Sequence, residues 1–215
     1  MRGRGKLPWR EYRKVKPKKG KATGPGPSEL RIIGGKFGGR KLQYSGDPRT
    51  RPMKDRLREA IFNLLGPSIR KKYAVDLFAG TGALGLEAIS RGAGGATLIE
   101  QHFPTAKIIR RNVELLEVEE IVDIVTANVF IWRQRKPRLP GTPWVVFCSP
   151  PYDFYVTRSE EMLPLIGGLL EAAPAESLFA VESDARFDFG LLPDAPSWNV
   201  RKYAPAVVGL YRKDC

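Results

Sequence analysis

The run Asp76-Leu77-Phe78-Ala79-Gly80-Thr81-Gly82-Ala83-Leu84-Gly85 joins an apolar stretch, Tyr73–Phe78, to an amphipathic one, Ala83–Arg91. The first reads as a strand and the second as a helix, which puts the glycines in a turn at the carboxyl end of a strand, where open α/β sheets bind ligands. Glycines there let the backbone approach a cofactor closely, and the helix start offers free N–H groups. The spacing Gly80-x-Gly82-x-x-Gly85, with Glu100 ending the next strand, suits a nicotinamide or an S-adenosyl cofactor, since Glu100 can hydrogen-bond a ribose in either. Asp76 tilts the choice. A carboxylate beside the turn suits the amino and sulfonium groups of S-adenosylmethionine and would repel a pyrophosphate.

Outward from this turn the pattern repeats. Ala96–Glu100, Ile121–Thr126, Trp144–Cys148 and Ser177–Glu182 read as strands, and Pro104–Leu116 and Ser159–Ala172 read as helices. Trp198–Tyr203 and Val207–Tyr211 close the chain as two strands joined too tightly to be anything but antiparallel. Alternating strands and helices imply a parallel sheet covered on both faces, so the expectation is an α/β fold with a doubly wound mixed sheet.

A second motif, Ser149-Pro150-Pro151-Tyr152, follows the apolar strand Trp144–Cys148 and therefore lies on the same rim as the glycine turn. Two prolines stiffen the backbone and remove two N–H donors, leaving carbonyl acceptors beside an aromatic ring. That combination can hold a planar base by its exocyclic amine while the ring stacks on it. Positioning the amine lone pair against an electrophilic methyl group needs no strong base.

Charge divides the chain sharply. The 215 residues carry a net charge of +13, but residues 1–28 hold ten Lys/Arg against one acid and residues 29–58 nine against three, which leaves the rest slightly acidic. A basic quarter on a near-neutral body is the distribution of a chain that meets phosphates. Residues 1–28 are too polar to bury a core and read as an arm disordered until bound. Residues 29–70 read as a small β-hairpin over Glu29–Tyr44 followed by a helix that starts at Pro52 and carries Leu57, Ile61, Leu64 and Leu65 on its apolar side, with residues 71–215 as the sheet domain. A single histidine, His102, excludes a metal site or triad needing two imidazoles, and two cysteines, Cys148 and Cys215, offer no zinc spacing. No apolar run reaches membrane-spanning length and no signal-peptide core is present, so the expectation is a soluble cytoplasmic protein.

The two motifs together resemble the glycine-rich and catalytic motifs of amino-group methyltransferases that use S-adenosylmethionine. With Arg31-Ile32-Ile33-Gly34-Gly35-Lys36, Gly39-Arg40-Lys41-Leu42 and Arg51-Pro52-Met53-Lys54-Asp55-Arg56-Leu57-Arg58-Glu59 ahead of them, the chain is similar over residues 29–212 to the bacterial 16S ribosomal RNA guanine-N2 methyltransferases of the RsmD type. The resemblance implies a class I methyltransferase (Rossmann-like) fold, S-adenosylmethionine as cofactor and no metal. Asp76, Phe78, Ala79, Gly80, Thr81, Gly82, Glu100 and Asn128 would bind the cofactor, Asn128 standing where the family usually has an acid near adenine. Ser149, Pro150, Pro151 and Tyr152 would form the catalytic motif, with Ser149 in place of the family's usual Asp and nearer the cytosine-N4 version. Arg31, Lys36, Arg40, Lys41, Arg51, Arg56 and Arg58 would contact RNA phosphates. The implied partner is small-subunit ribosomal RNA, with bound ribosomal proteins as part of the substrate and the enzyme a monomer.

Rival readings remain open on the residues alone. They are an amino methyltransferase acting on adenine or cytosine in RNA or DNA, an RNA-binding module without turnover, and a nicotinamide enzyme.

Overall fold

Seven strands form one sheet: β1 (Tyr73–Asp76), β2 (Gly95–Ile99), β3 (Val122–Val125), β4 (Trp144–Cys148), β5 (Leu178–Asp184), β6 (Asn199–Tyr203) and β7 (Ala206–Arg212). Their order in the computed structural model is β3-β2-β1-β4-β5-β7-β6. The structure describes residues 30–44, 46–47, 50 and 52–214. The expected arm, residues 1–28, lies outside these, as does Arg51.

Strands β1 to β5 run parallel and β7 runs antiparallel between β5 and β6. The mixed doubly wound sheet is therefore as expected, and its order reverses between β1 and β4. At that switch point the loops leaving the two strands diverge to opposite faces and open a crevice.

The helices are α1 (Asp55–Leu65), α2 (Ala83–Ser90), α3 (Phe103–Leu116), α4 (Val129–Gln134), α5 (Phe154–Thr157) and α6 (Ser159–Ala172). Side chains alternate across the sheet. Ala74, Val145 and Phe147 pack with Phe62, Leu86 and Ile109 of the first three helices on one face. Val75, Val146 and Cys148 pack with Trp132, Met162, Ile166 and Leu169 on the other. Two faces covered this way explain why the central strands are nearly continuous apolar runs.

Three details differ from expectation. The first helix begins at Asp55, three residues after Pro52, and buries Ile61, Phe62 and Leu65 while Leu64 is 40% exposed. Phe62 rather than Leu64 completes the inward stripe. The hairpin ahead of it is held by Ile32, Gly39 and Leu42 backbone bonds and a single bridge, Arg31 with Lys41, so it is a glycine-turned loop rather than a pair of strands. Helices α4 and α5, six and four residues long, are too short to show a helical period in the sequence.

Leu30, Ile32, Phe37 and Leu42 of the hairpin belong to the same apolar core as the sheet. Gly35, at φ +78, lies against the end of α2 so closely that a Cβ would sit 2.0 Å from the Ser90 carbonyl oxygen. No larger residue fits there.

Candidate active site

The glycine turn leaves β1 with Gly80 and Gly82 both at positive φ, and Gly82 caps α2. Gly85 sits one turn into that helix, where a Cβ would lie 2.0 Å from Leu98 Cδ2 on β2. Close helix-to-strand packing is what the third glycine of such a fingerprint provides.

Asp76 is buried at the end of β1, and its Oδ2 accepts from the Gly85 N–H at 3.1 Å. The other oxygen, Oδ1, is buried without a hydrogen-bond partner among the described residues. Burial pushes the carboxyl up to about 7, helped by the negative Glu100 and opposed by the Gly85 N–H. Glu100, just past β2, accepts from Gly80 N–H through Oε2 at 2.8 Å and from His102 N–H through Oε1 at 2.7 Å. The acid thus ties the glycine turn to the start of α3, where the His102 ring bonds Thr105. Asn128 caps α4 with its Oδ1 and donates from Nδ2 to Gln101. Its amide oxygen is committed to the helix, which leaves Nδ2 as the side chain's donor.

These residues fit S-adenosylmethionine. An unpartnered buried carboxylate oxygen asks for a donor such as an ammonium group, and it sits at the base of a turn whose left-handed backbone at Gly80 and Gly82 suits glycine.

On the neighbouring strand, Ser149 follows β4, whose Phe147 is in register with Asp76 of β1. Both motifs therefore share the crevice at the switch point. The Pro151 carbonyl accepts from Phe154 N–H at 2.9 Å and is spent on the turn into α5, which leaves the Pro150 carbonyl as the acceptor beside Ser149. The Ser149 hydroxyl donates to Glu182 Oε2, and the Tyr152 hydroxyl donates to Glu182 Oε1 at 2.5 Å.

Glu182 was not among the residues the motifs single out. It is 6% exposed on β5, and its main-chain oxygen accepts from the Tyr155 hydroxyl at 3.0 Å. The available signal was an acid directly after the apolar run Leu178–Val181, on the strand that pairs with β4. Cys148 is buried against Tyr155, and burial pushes its thiol up to about 12, which removes it as a nucleophile.

An aromatic cluster borders the crevice. Phe78, Phe130 and Phe154 meet with centroids 6.0–6.4 Å apart, and the Arg158 guanidinium lies 4.2 Å from the Phe130 centroid. Phe130, Trp132, Trp144 and Phe147 are core residues.

The basic residues separate into two kinds. Arg31, Lys36, Arg40, Lys41 and Arg56 are exposed on the hairpin and α1. Arg58 corrects the expectation of a phosphate contact: its side chain is wholly buried, bonded to the Arg31 carbonyl and Asp55, with Nε 3.8 Å from Glu87. A guanidinium under the hairpin cannot reach RNA.

Sheet order, a glycine turn on β1 and an acceptor motif after β4 define a class I methyltransferase that uses S-adenosylmethionine. Residues 30–191 match the family described as Conserved hypothetical protein 95, and the chain belongs to that family. It is 37% identical over 192 residues to the Ribosomal RNA small subunit methyltransferase D of Escherichia coli strain K12, spanning 87% of this chain and 90% of the relative. A relative from Haemophilus influenzae with the same name is 35% identical over 130 residues, covering 59% and 65% of the two chains. Among solved structures, yhhF of Escherichia coli superposes with a TM-score of 0.71 at 32% identity, covering 86% of this chain and 98% of that one. The Thermus thermophilus 16S rRNA N2 G1207 methyltransferase, solved with AdoMet and guanosine, shares the fold at a TM-score of 0.65 and 19% identity, covering 86% of this chain and 49% of that one. Among the described residues no helix is long and apolar enough to cross a membrane.

Proposed function

We propose that this chain methylates the exocyclic N2 amine of a guanine in small-subunit ribosomal RNA. The observation that carries the reading is the placing of Ser149 and Tyr152 beside the glycine turn, an acceptor and a flat ring on the rim that would hold the cofactor. When bound, S-adenosylmethionine supplies a methyl group on a positively charged sulfur. Asp76 would take its amino group, Glu100 its ribose hydroxyls, and Phe78, Ala79, Gly80, Thr81 and Gly82 would line the rest, with Asn128 near the adenine. Ser149 Oγ and the Pro150 carbonyl would accept the two amine hydrogens, which turns the nitrogen lone pair toward the methyl group, and Tyr152 would stack on the base. A base held this way must leave its stack, so RNA has to be gripped on both sides of it. Exposed Arg31, Lys36, Arg40, Lys41 and Arg56 supply that grip, and we extend the proposal to a monomer acting in the cytoplasm on RNA that already carries ribosomal protein.

Transfer of labelled methyl to small ribosomal subunits lacking the modification, followed by nucleoside identification, tests the reading. Label in N2-methylguanosine supports it. Label in an adenine or cytosine derivative, or cofactor binding with no transfer, overturns it. Ser149→Ala should lose transfer and keep cofactor binding, whereas Asp76→Ala should weaken the cofactor itself.

A further inference from the structure

Glu182 stands beneath the catalytic motif, on β5, with one carboxylate oxygen taken by the Ser149 hydroxyl and the other by the Tyr152 hydroxyl. A buried carboxylate needs compensation, and among the described residues it comes here from hydroxyl donors and not from a cation. Ser149 and Tyr152 are the donors in these two bonds, so both hydroxyl hydrogens point into the protein. Two consequences follow for the surface of the site. Ser149 Oγ has spent its only hydrogen and can meet a substrate only as an acceptor. The Tyr152 ring is tethered at its hydroxyl, which anchors the far end of the side chain and holds the ring at this place in the site.

We propose that Glu182 is the positioning residue that makes this pocket read an amine: by taking the hydrogens of Ser149 and Tyr152 it fixes the first as an acceptor and anchors the second in place as the ring beside it. A serine without such a partner would rotate and donate to a carbonyl as readily as accept from an NH2 group. With Glu182 in place, a base edge presenting an acceptor at that point faces lone pairs and is rejected. The carboxylate thereby gives the neutral serine a fixed hydrogen-bonding sense. This inference rests on Ser149 and Tyr152 holding the acceptor base.

The test is binding of nucleoside pairs that differ only by the amine, with S-adenosylhomocysteine present: guanosine against inosine, adenosine against purine riboside, cytidine against its analogue lacking the 4-amine. The wild-type chain should prefer guanosine over inosine by about tenfold, the worth of one well-made hydrogen bond in a closed site. Glu182→Gln keeps the shape but turns an NH2 donor toward one hydroxyl, and the preference should fall to within about twofold while S-adenosylhomocysteine affinity and melting temperature hold. Ser149→Ala should lose the same preference, and Glu182→Gln added to it should cost no further discrimination. Tyr152→Phe should weaken guanosine and inosine equally and leave their ratio alone.

A Glu182→Gln chain that keeps the wild-type ratio overturns the proposal. So does one whose cofactor affinity and stability fall while the ratio stays. If that variant does not fold, Tyr152→Phe decides, because a changed ratio or unchanged affinity there contradicts the tether. Preference appearing in the adenosine or cytidine pair instead would overturn guanine as acceptor and leave Glu182 in its role. No preference in any pair would overturn Glu182 while methyl transfer to ribosomal subunits still judges the reaction.

Discussion

The Glu87 carboxylate lies 3.8 Å from the guanidinium Nε of Arg58, with both side chains wholly buried. Glu87 also accepts from the N–H groups of Ile33 and Gly34 at 2.7 and 2.9 Å and from Arg91. One acid on α2 therefore anchors the hairpin, α1 and its own helix end together. Removing the acid leaves buried Arg58 with Asp55 and the Arg31 carbonyl alone and orphans the Ile33 and Gly34 N–H groups, so Glu87→Ala should lose about 3–5 kcal/mol of stability. Denaturant unfolding checks this, and a change under 1 kcal/mol would show that water already reaches the pair.

The same geometry separates Arg58 from its exposed neighbours. Changing Lys36, Arg40, Lys41 or Arg56 singly to Gln should lower RNA affinity and reduce the salt slope by about 1 per phosphate contact, with unfolding unaffected. Arg58→Gln should do the reverse, lowering stability with the salt slope of the folded protein kept. Filter binding across a salt series, beside thermal melts, distinguishes them.

Asp76 makes cofactor binding sensitive to pH. Its carboxyl is raised to about 7 in the folded chain, so between its ordinary value and about 7 the native state holds a proton that the unfolded chain releases. Stability from this group consequently falls as pH rises through that window and is lowest above it. A bound ammonium favours the ionised form and offsets that cost. S-adenosylmethionine affinity measured by calorimetry should therefore rise from pH 6 to 8 in the wild type and stay flat in Asp76→Asn. Glu100→Gln, which removes the neighbouring negative charge, should shift the rise to lower pH; a wild-type profile without slope refutes the assignment.

Gly85 is a packing requirement. An Ala there places a methyl group 2.0 Å from Leu98 Cδ2, so Gly85→Ala should cost about 1–3 kcal/mol by overpacking. Shortening the opposing side chain with Leu98→Ala should recover part of it. Strictly additive losses in urea unfolding of the double variant would show that the two residues do not compete for space.

Much of the site was legible in the sequence because it is local. The glycine turn, Glu100 and the Ser-Pro-Pro-Tyr run each sit just past an apolar strand, and a strand followed by a helix fixes which end of the sheet they occupy. Helix α6 and strand β4 fall at the expected residues, since long periodic and continuous apolar runs are the strongest local signals. Short α4 and α5 carry no period, and Asn128 disclosed its capping role only once the helix it starts was seen.

What the sequence determined by itself is whatever depends on neighbours along the chain: the alternation of strand and helix, the turn that needs glycine, the confinement of charge to the first quarter. What the tertiary structure alone decided depends on residues far apart meeting in a dry interior. Arg58, like exposed Arg56, stands between Leu57 and an acid, yet the fold closes the hairpin over it and Glu87 meets it from α2. Glu182 is one of two acids at the end of a strand until β5 pairs with β4 and brings it under Ser149 and Tyr152. Burial turns such encounters into energy, because a charge removed from water must find its partners within the protein, and no local pattern records which partners those are.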